Sequence, residues 1–314
     1  MTTRRDFLAA AFAATSALAL SRTVRAESAA HTGKIKAKDG TELFVRDTGG
    51  GGRAVVMTHA WPLNADVWDF QAAALSSAGF RVVTYDRRGF GRSSPTASGY
   101  GSGTYQGYDF DTFADDLADV IAQTGVRDAT LVGYSMGGGE VVRYFSRHAG
   151  RNVVKAGIVA GTAWLLAKTE SNPDGIDGAV FDGIKQGVSG DRKAYLGGLL
   201  RDVFLDARQP ATNLVSPEMV DAMLTLAMQA SVAATAACVD AFSKTDFRSE
   251  LAAVRVPALL LHGTADMAVP FAMAKAAAAG LAQSKMIAYQ GSSHGIVLTE
   301  RERVTRDLQS FVAS

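Results

Sequence analysis

The chain is predicted to fold as an α/β protein: a mostly parallel sheet of eight strands, flanked by helices, with a helical cap inserted into it. Three observations lead there. Short apolar runs recur at 54–58, 81–85, 129–132, 153–160 and 256–261, as parallel strands covered on both faces require. Stretches with apolar residues at helical spacing separate them. Between 162 and 247 the strand pattern vanishes and only the helical period persists.

The elements follow in order. Residues 34–38 and 42–46 flank Asp39-Gly40, a hairpin turn pair. The strand at 54–58 runs into His59-Ala60-Trp61-Pro62-Leu63, and a helix is expected over 66–77. The strand at 81–85 closes in Asp86-Arg87-Arg88-Gly89-Phe90-Gly91-Arg92-Ser93; a Gly/Ser/Tyr-rich loop reaches Tyr108, and 111–123 reads as a helix. The apolar run 129–132 breaks at Gly133-Tyr134-Ser135-Met136-Gly137, and Glu140 to His148 continues at helical spacing. Helices are expected over 177–186, 191–204 and 217–243, the last split near Ser231, with Ser216-Pro217 supplying an N-cap and a first-turn proline. After the strand at 256–261, a helix (270–282), a strand (285–289) and a closing helix (299–312) complete the chain. The core is therefore placed at 27–161 and 248–314, and the cap at 162–247.

Residues 1–26 are read as a signal peptide. Thr3-Arg4-Arg5-Asp6-Phe7-Leu8 is a twin-arginine pattern, followed by the apolar stretch 9–20 and the small-residue site Val24-Arg25-Ala26. That stretch falls short of the roughly 20 residues a spanning helix needs. The expected location is periplasmic or secreted, with no membrane association after cleavage. The formal charge of +1 gives no nucleic-acid surface. Cleavage would leave 28 basic and 30 acidic side chains, a net −2. The lone Cys238 has no intramolecular partner and reads as a small buried hydrophobe. No His/Cys/Asp/Glu spacing suggests a metal, and no cofactor is expected.

Ligands of open α/β sheets bind at the carboxyl ends of the strands. There the strand–turn–helix around Ser135 would expose its hydroxyl, which is a weak nucleophile without a base. Of five histidines, His31 lies in the mature tail and His148 ends a helix away from the strand ends. His59 and His262 read as orienting backbone, and His294, in a loop after the last strand, can reach the serine. Asp266 follows the penultimate strand, giving the order serine, acid, histidine, whereas Asp240 and Asp246 are assigned to cap helices. The Met136 and Trp61 N–H groups are the candidate oxyanion donors, since Pro62 has none. Trp61, Pro62, Trp164, Val269 and Phe271 follow strand ends and are the candidate substrate-pocket residues, expected to form a small apolar acyl site.

Together these segments, with Asp109–Asp116, Thr245–Arg248 and Ser293-His294-Gly295, resemble the cofactor-free haloperoxidase/perhydrolase and aryl-esterase group of the α/β-hydrolase superfamily. The resemblance runs from about Lys34 to the C-terminus. It implies a Ser135–His294–Asp266 triad, Trp61 and Met136 as oxyanion donors, short-chain acyl or aryl esters as substrates, and a homo-oligomer. It further implies that hydrogen peroxide can replace water, releasing a peracid that oxidises halide without a metal. Trp61-Pro62 is closer to the perhydrolase side of the group. Ala60 stands where the group usually has glycine, and 101–107 reads as an added insert. The expected function is thus a metal-free serine esterase with perhydrolase side activity. The competing readings are a catalytically silent ligand-binding relative, and a dehalogenase, epoxide hydrolase or hydroxynitrile lyase. The first two of that second set are disfavoured because they carry a carboxylate where Ser135 stands.

Overall fold

The structure is a computed structural model that describes residues 28–96, 106–206 and 215–314. The expected signal peptide and most of the 101–107 stretch lie outside them. Eight strands form one sheet: β1 (His31–Lys36), β2 (Glu42–Asp47), β3 (Ala54–Thr58), β4 (Arg81–Tyr85), β5 (Ala129–Tyr134), β6 (Val153–Val159), β7 (Ala258–Gly263) and β8 (Ser284–Tyr289). Their order is β1-β2-β4-β3-β5-β6-β7-β8. β2 pairs antiparallel with β1 and β4, and every pairing from β4 to β8 is parallel. Every residue of β3, β4, β5 and β7 is buried, which is why their sequences are mostly apolar instead of alternating.

The helices are α1 (Asp69–Ser77), α2 (Phe110–Thr124), α3 (Met136–His148), α4 (Gly178–Ser189), α5 (Arg192–Leu199), α6 (Pro217–Met228), α7 (Val232–Lys244), α8 (Phe271–Gly280), α9 (Ile296–Thr299) and α10 (Arg301–Ala313). Caps set several boundaries. The Asp109 side chain accepts the Thr112 N–H at the start of α2, and Ser216 accepts the Met219 N–H at the start of α6, where Pro217 fills the first position. The split expected near Ser231 is real: that serine caps α7 through the Ala234 N–H, while its own N–H donates to the Gly89 carbonyl at 2.8 Å. The helix expected over 191–204 instead ends at Leu199 and continues as a wide π-helical turn, Leu200–Phe204. Asp246 sits in the loop after α7, paired with Arg248, and not in a helix.

α4 to α7 lie between β6 and β7 in the chain and form one helical insert. Among the described residues no single helix is long and apolar enough to cross a membrane. Cys238 is fully buried in α7, and burial pushes its thiol well above the usual range.

Candidate active site

Ser135 joins β5, at the middle of the sheet, to α3 with φ 55° and ψ −119°. A non-glycine residue with positive φ costs on the order of 1–3 kcal/mol and persists where its surroundings over-determine it. They do so here. The Ser135 N–H donates to the Val159 carbonyl at 2.9 Å, and its own carbonyl accepts the Gly138 and Thr162 N–H groups at 2.8 and 3.0 Å. The turn is tight enough that a Cβ at Gly133 would fall on the Gly137 carbonyl, so residue 133 can only be glycine.

The hydroxyl reaches His294. Ser135 Oγ lies 2.9 Å from His294 Nε2, and His294 Nδ1 lies 2.8 Å from Asp266 Oδ2. Both partners of the serine are almost completely buried. Asp266 is held from both ends: Oδ1 accepts the Ala268 and Val269 N–H groups at 2.9 and 2.8 Å, while His262 Nε2 is 3.1 Å from Oδ2. Burial alone would raise its carboxyl, but His294 and His262 outweigh burial and hold it well below the usual carboxylate range. His262 Nε2 also lies 2.9 Å from the Val269 carbonyl, which can only accept, so that nitrogen carries the proton. The Tyr134 hydroxyl donates to the His294 carbonyl, and the Phe204 ring meets the imidazole edge-on at 4.6 Å. This arrangement can pass a proton from serine to histidine while the carboxylate keeps the second ring proton on Nδ1.

Trp61 and Met136 line the cavity above Ser135, and among the described residues neither backbone N–H has an acceptor. Hydrogen bonding aims the first of them. The Ala60 carbonyl accepts from the Leu63 N–H and from His59 Nδ1, both at 2.9 Å. In a trans peptide the following N–H points the opposite way, so fixing the Ala60 oxygen fixes the Trp61 N–H. His59 can donate from Nδ1 because Nε2 is occupied as acceptor of the Arg87 N–H at 2.9 Å. Burial, reinforced by the Arg87 charge, holds His59 neutral, its pKa well below the usual value. The Arg87 guanidinium also donates to the His59 carbonyl at 2.8 Å and pairs with Glu140 on α3; Arg87 and Glu140 are fully buried. The same carboxylate accepts from the Tyr85 and Thr58 hydroxyls. Glu140 thus ties the helix whose first N–H is that of Met136 to the loop that carries the Trp61 N–H. Glu140→Gln leaves the Arg87 charge unpaired, and such a loss inside a protein costs about 3–5 kcal/mol. A denaturant midpoint unchanged from wild type would contradict this.

The cavity above Ser135 has a volume of about 740 Å³, within the range that takes a drug-sized ligand. It is larger than the small acyl site expected. Trp61 and Val269 line it, as expected, but Pro62, Trp164 and Phe271 do not. Pro62 is buried within the loop, joined to Trp61 by a cis peptide. Trp164 is half-buried, packed against the core under the guanidinium of Arg248. Phe271 starts α8 beside the His262 ring and Lys275, outside the cavity wall. The helical insert supplies much of the remaining wall, including Phe181, Tyr195 and Phe204.

The alpha/beta hydrolase fold family matches residues 53–301. The chain belongs to that family. Among curated alpha/beta hydrolase relatives, it is 39% identical over 278 residues to the non-heme chloroperoxidase CPO-A1 of Kitasatospora aureofaciens, covering 88% of this chain and 97% of that one. It is 36% identical over 284 residues to the bifunctional esterase/perhydrolase DCH of Acinetobacter calcoaceticus, covering 90% of this chain and 100% of that one. The crystal structure of a bromoperoxidase from Bacillus anthracis superposes with a TM-score of 0.82 at 36% identity, over 90% of this chain and 100% of that one.

Several residues of this hydrolase site escaped the sequence reading: Glu140, Arg87, Tyr134, Phe204, and His262 as a direct partner of Asp266. Their side chains carry no local pattern that distinguishes them. The nearest available clue was Glu140, an acidic residue in a Gly- and Val-rich helix start where a solvated side chain would have been unusual. Among the described residues no group of three or more His, Cys, Asp or Glu side chains is placed to hold a metal ion.

Proposed function

We propose that the protein is a metal-free serine esterase with perhydrolase activity, exported through the twin-arginine route. The observation that carries the reading is the hydrogen-bonded series Ser135–His294–Asp266 at the floor of an apolar cavity. The relatives named as non-heme haloperoxidases and as an esterase/perhydrolase support it. In this reading Ser135 Oγ gives its proton to His294 Nε2 and attacks the ester carbonyl. The Trp61 and Met136 N–H groups receive the negative charge on the carbonyl oxygen. His294 then protonates the leaving alcohol, and an acyl-Ser135 remains. Water, activated by His294, releases the carboxylic acid. Hydrogen peroxide in its place releases the peracid, which oxidises bromide to hypobromous acid and is itself reduced to the acid.

The insert at 162–247 acts as the cap of this site. The twin-arginine pattern at Thr3–Leu8 and the cleavage site near Ala26 support a periplasmic or secreted location. The resemblance to the haloperoxidase group supports a homo-oligomer, which light scattering on the purified protein tests.

The central test is labelling by a fluorescent organophosphonate, combined with hydrolysis of p-nitrophenyl acetate and peroxide-dependent bromination in acetate, before and after dialysis against EDTA. Labelling and both activities are expected in full on either side of dialysis. Absence of labelling would show a silent serine and favour a ligand-binding role. Activity lost on dialysis and restored by a single metal ion would refute the metal-free assignment.

A further inference from the structure

We infer that the cap holds a slot for a long, uncharged apolar arm of the ester, with Gly183 on α4 and Gly198 on α5 as its specificity-determining positions. This rests on the serine-esterase reading above, and it carries the substrate class beyond the short esters that reading requires.

The slot follows from how α4 and α5 meet. At one place they pack tightly: a Cβ at Gly187 would overlap the Tyr195 ring. One turn back along α4, at Gly183, a Cβ would find nothing within 4 Å, and the same holds for Gly198 on α5; Gly183 is exposed and Gly198 half-buried, so the space beside them opens to solvent. Each helix therefore presents an alanine and a glycine four residues apart to the cavity, Ala179 with Gly183 and Ala194 with Gly198, and residues so spaced share one helix face. The two helices are in contact at Gly187 and leave an open groove at their small residues. That space is continuous with the cavity whose floor is Ser135 and His294.

The chemistry of the walls selects the ligand. Phe181, Ile184, Leu199, Val203 and Phe242 supply apolar surface. Among the described residues no lysine or arginine lines the cavity, and the one carboxylate there, Asp202, is paired with Arg201, so an anionic arm would meet no countercharge from these walls. At the rim, Val180 is 52% and Met267 42% exposed, which makes the mouth apolar too. An alkyl arm of about eight carbons gains affinity with each methylene taken out of water; a two-carbon arm leaves most of a cavity of about 740 Å³ unused.

The arm can belong to the acid or to the alcohol of the ester, and the experiment separates the two. We would measure kcat/KM by pH-stat for ethyl acetate, ethyl octanoate and octyl acetate on the wild type, Gly183→Leu and Gly198→Leu. Both substitutions place a Cβ with no protein atom within 4 Å and replace glycine within a helix, so the melting temperature is expected to hold or rise. The wild type is expected to favour at least one octyl-bearing ester over ethyl acetate by tenfold or more. Ethyl octanoate would assign the slot to the acyl chain, and octyl acetate to the alcohol. Either leucine variant is expected to cut that preference at least fivefold. A wild type that prefers ethyl acetate over both long esters overturns the inference and needs no variant. So does a long-chain preference that neither folded variant alters. If the wild type is not labelled by the organophosphonate and turns over none of the three esters, the esterase reading itself fails.

Discussion

Ser135→Ala is expected to lower ester turnover by roughly 10⁶-fold, the loss typical of removing an activated nucleophile. The fold should survive. The turn at Ser135 is held by backbone hydrogen bonds to Val159, Gly138 and Thr162 that do not involve the hydroxyl, and alanine tolerates the positive φ no worse than serine does. Among the described residues the hydroxyl's one protein partner is His294 Nε2, so its removal breaks a single contact there. Circular dichroism should show an unchanged spectrum and a melting temperature within a few degrees of wild type. Organophosphonate labelling should disappear. An alanine variant keeping more than about a hundredth of the wild-type rate would remove Ser135 from the nucleophile's role, because the oxyanion donors alone account for far less of the rate.

Asp266→Asn should be the next most damaging change, at roughly 10⁴-fold, and the hydrogen bonds show why. Two backbone N–H groups, from Ala268 and Val269, point at one oxygen of the side chain. The asparagine carbonyl will take that position, which turns its NH₂ toward His294 Nδ1 and His262 Nε2. An NH₂ facing Nδ1 obliges His294 to carry its proton on Nε2, where it can no longer accept the proton of Ser135. It also meets the proton on His262 Nε2, so a favourable contact becomes donor against donor. The predicted signature is a fall in kcat with little change in KM. A variant within tenfold of wild type would show that the carboxylate neither orients nor balances the histidine. Stability should respond as well. A carboxyl whose pKa is depressed by folding stabilises the protein above its unfolded pKa of about 3.9 and loses that contribution as pH falls. The stability gap between wild type and Asp266→Asn, read by denaturant midpoints, should therefore be widest at neutral pH and shrink below about pH 5.

The fold could be read from the sequence because its strands are buried on both faces and so carry continuous apolar runs, and because the serine turn needs glycine at 133 for a steric reason. Chain order put Ser135, Asp266 and His294 after the carboxyl ends of three strands, and the geometry brings them within hydrogen-bond reach. The walls of the cavity were another matter. Trp164 and Phe271 also follow strand ends, but position along the chain does not say which way a loop turns, and neither lines the cavity. The insert defeated the sequence for a different reason. Its helices were found from periodicity, yet periodicity gives which face of each helix is apolar and not whether that face meets another helix or an empty space. The widened turn at Leu200–Phe204 keeps a helical spacing of apolar residues, so nothing marked Phe204 as the neighbour of His294. Glu140 was hidden because its partners come from two stretches far from it in the chain, Thr58 from one and Tyr85 and Arg87 from the other.

The carbonyl of Phe204 accepts the Gly295 N–H at 2.7 Å, beside the imidazole its ring supports. The insert therefore cannot be treated as an interchangeable module. A chimaera that replaces 162–247 with the corresponding segment of another hydrolase inherits a new entrance, but it also discards a support of its own base. Grafts that keep the Leu200–Phe204 turn and exchange only α4, α5 up to Leu199, α6 or α7 should retain turnover; grafts that cross the turn should fold and yet lose it.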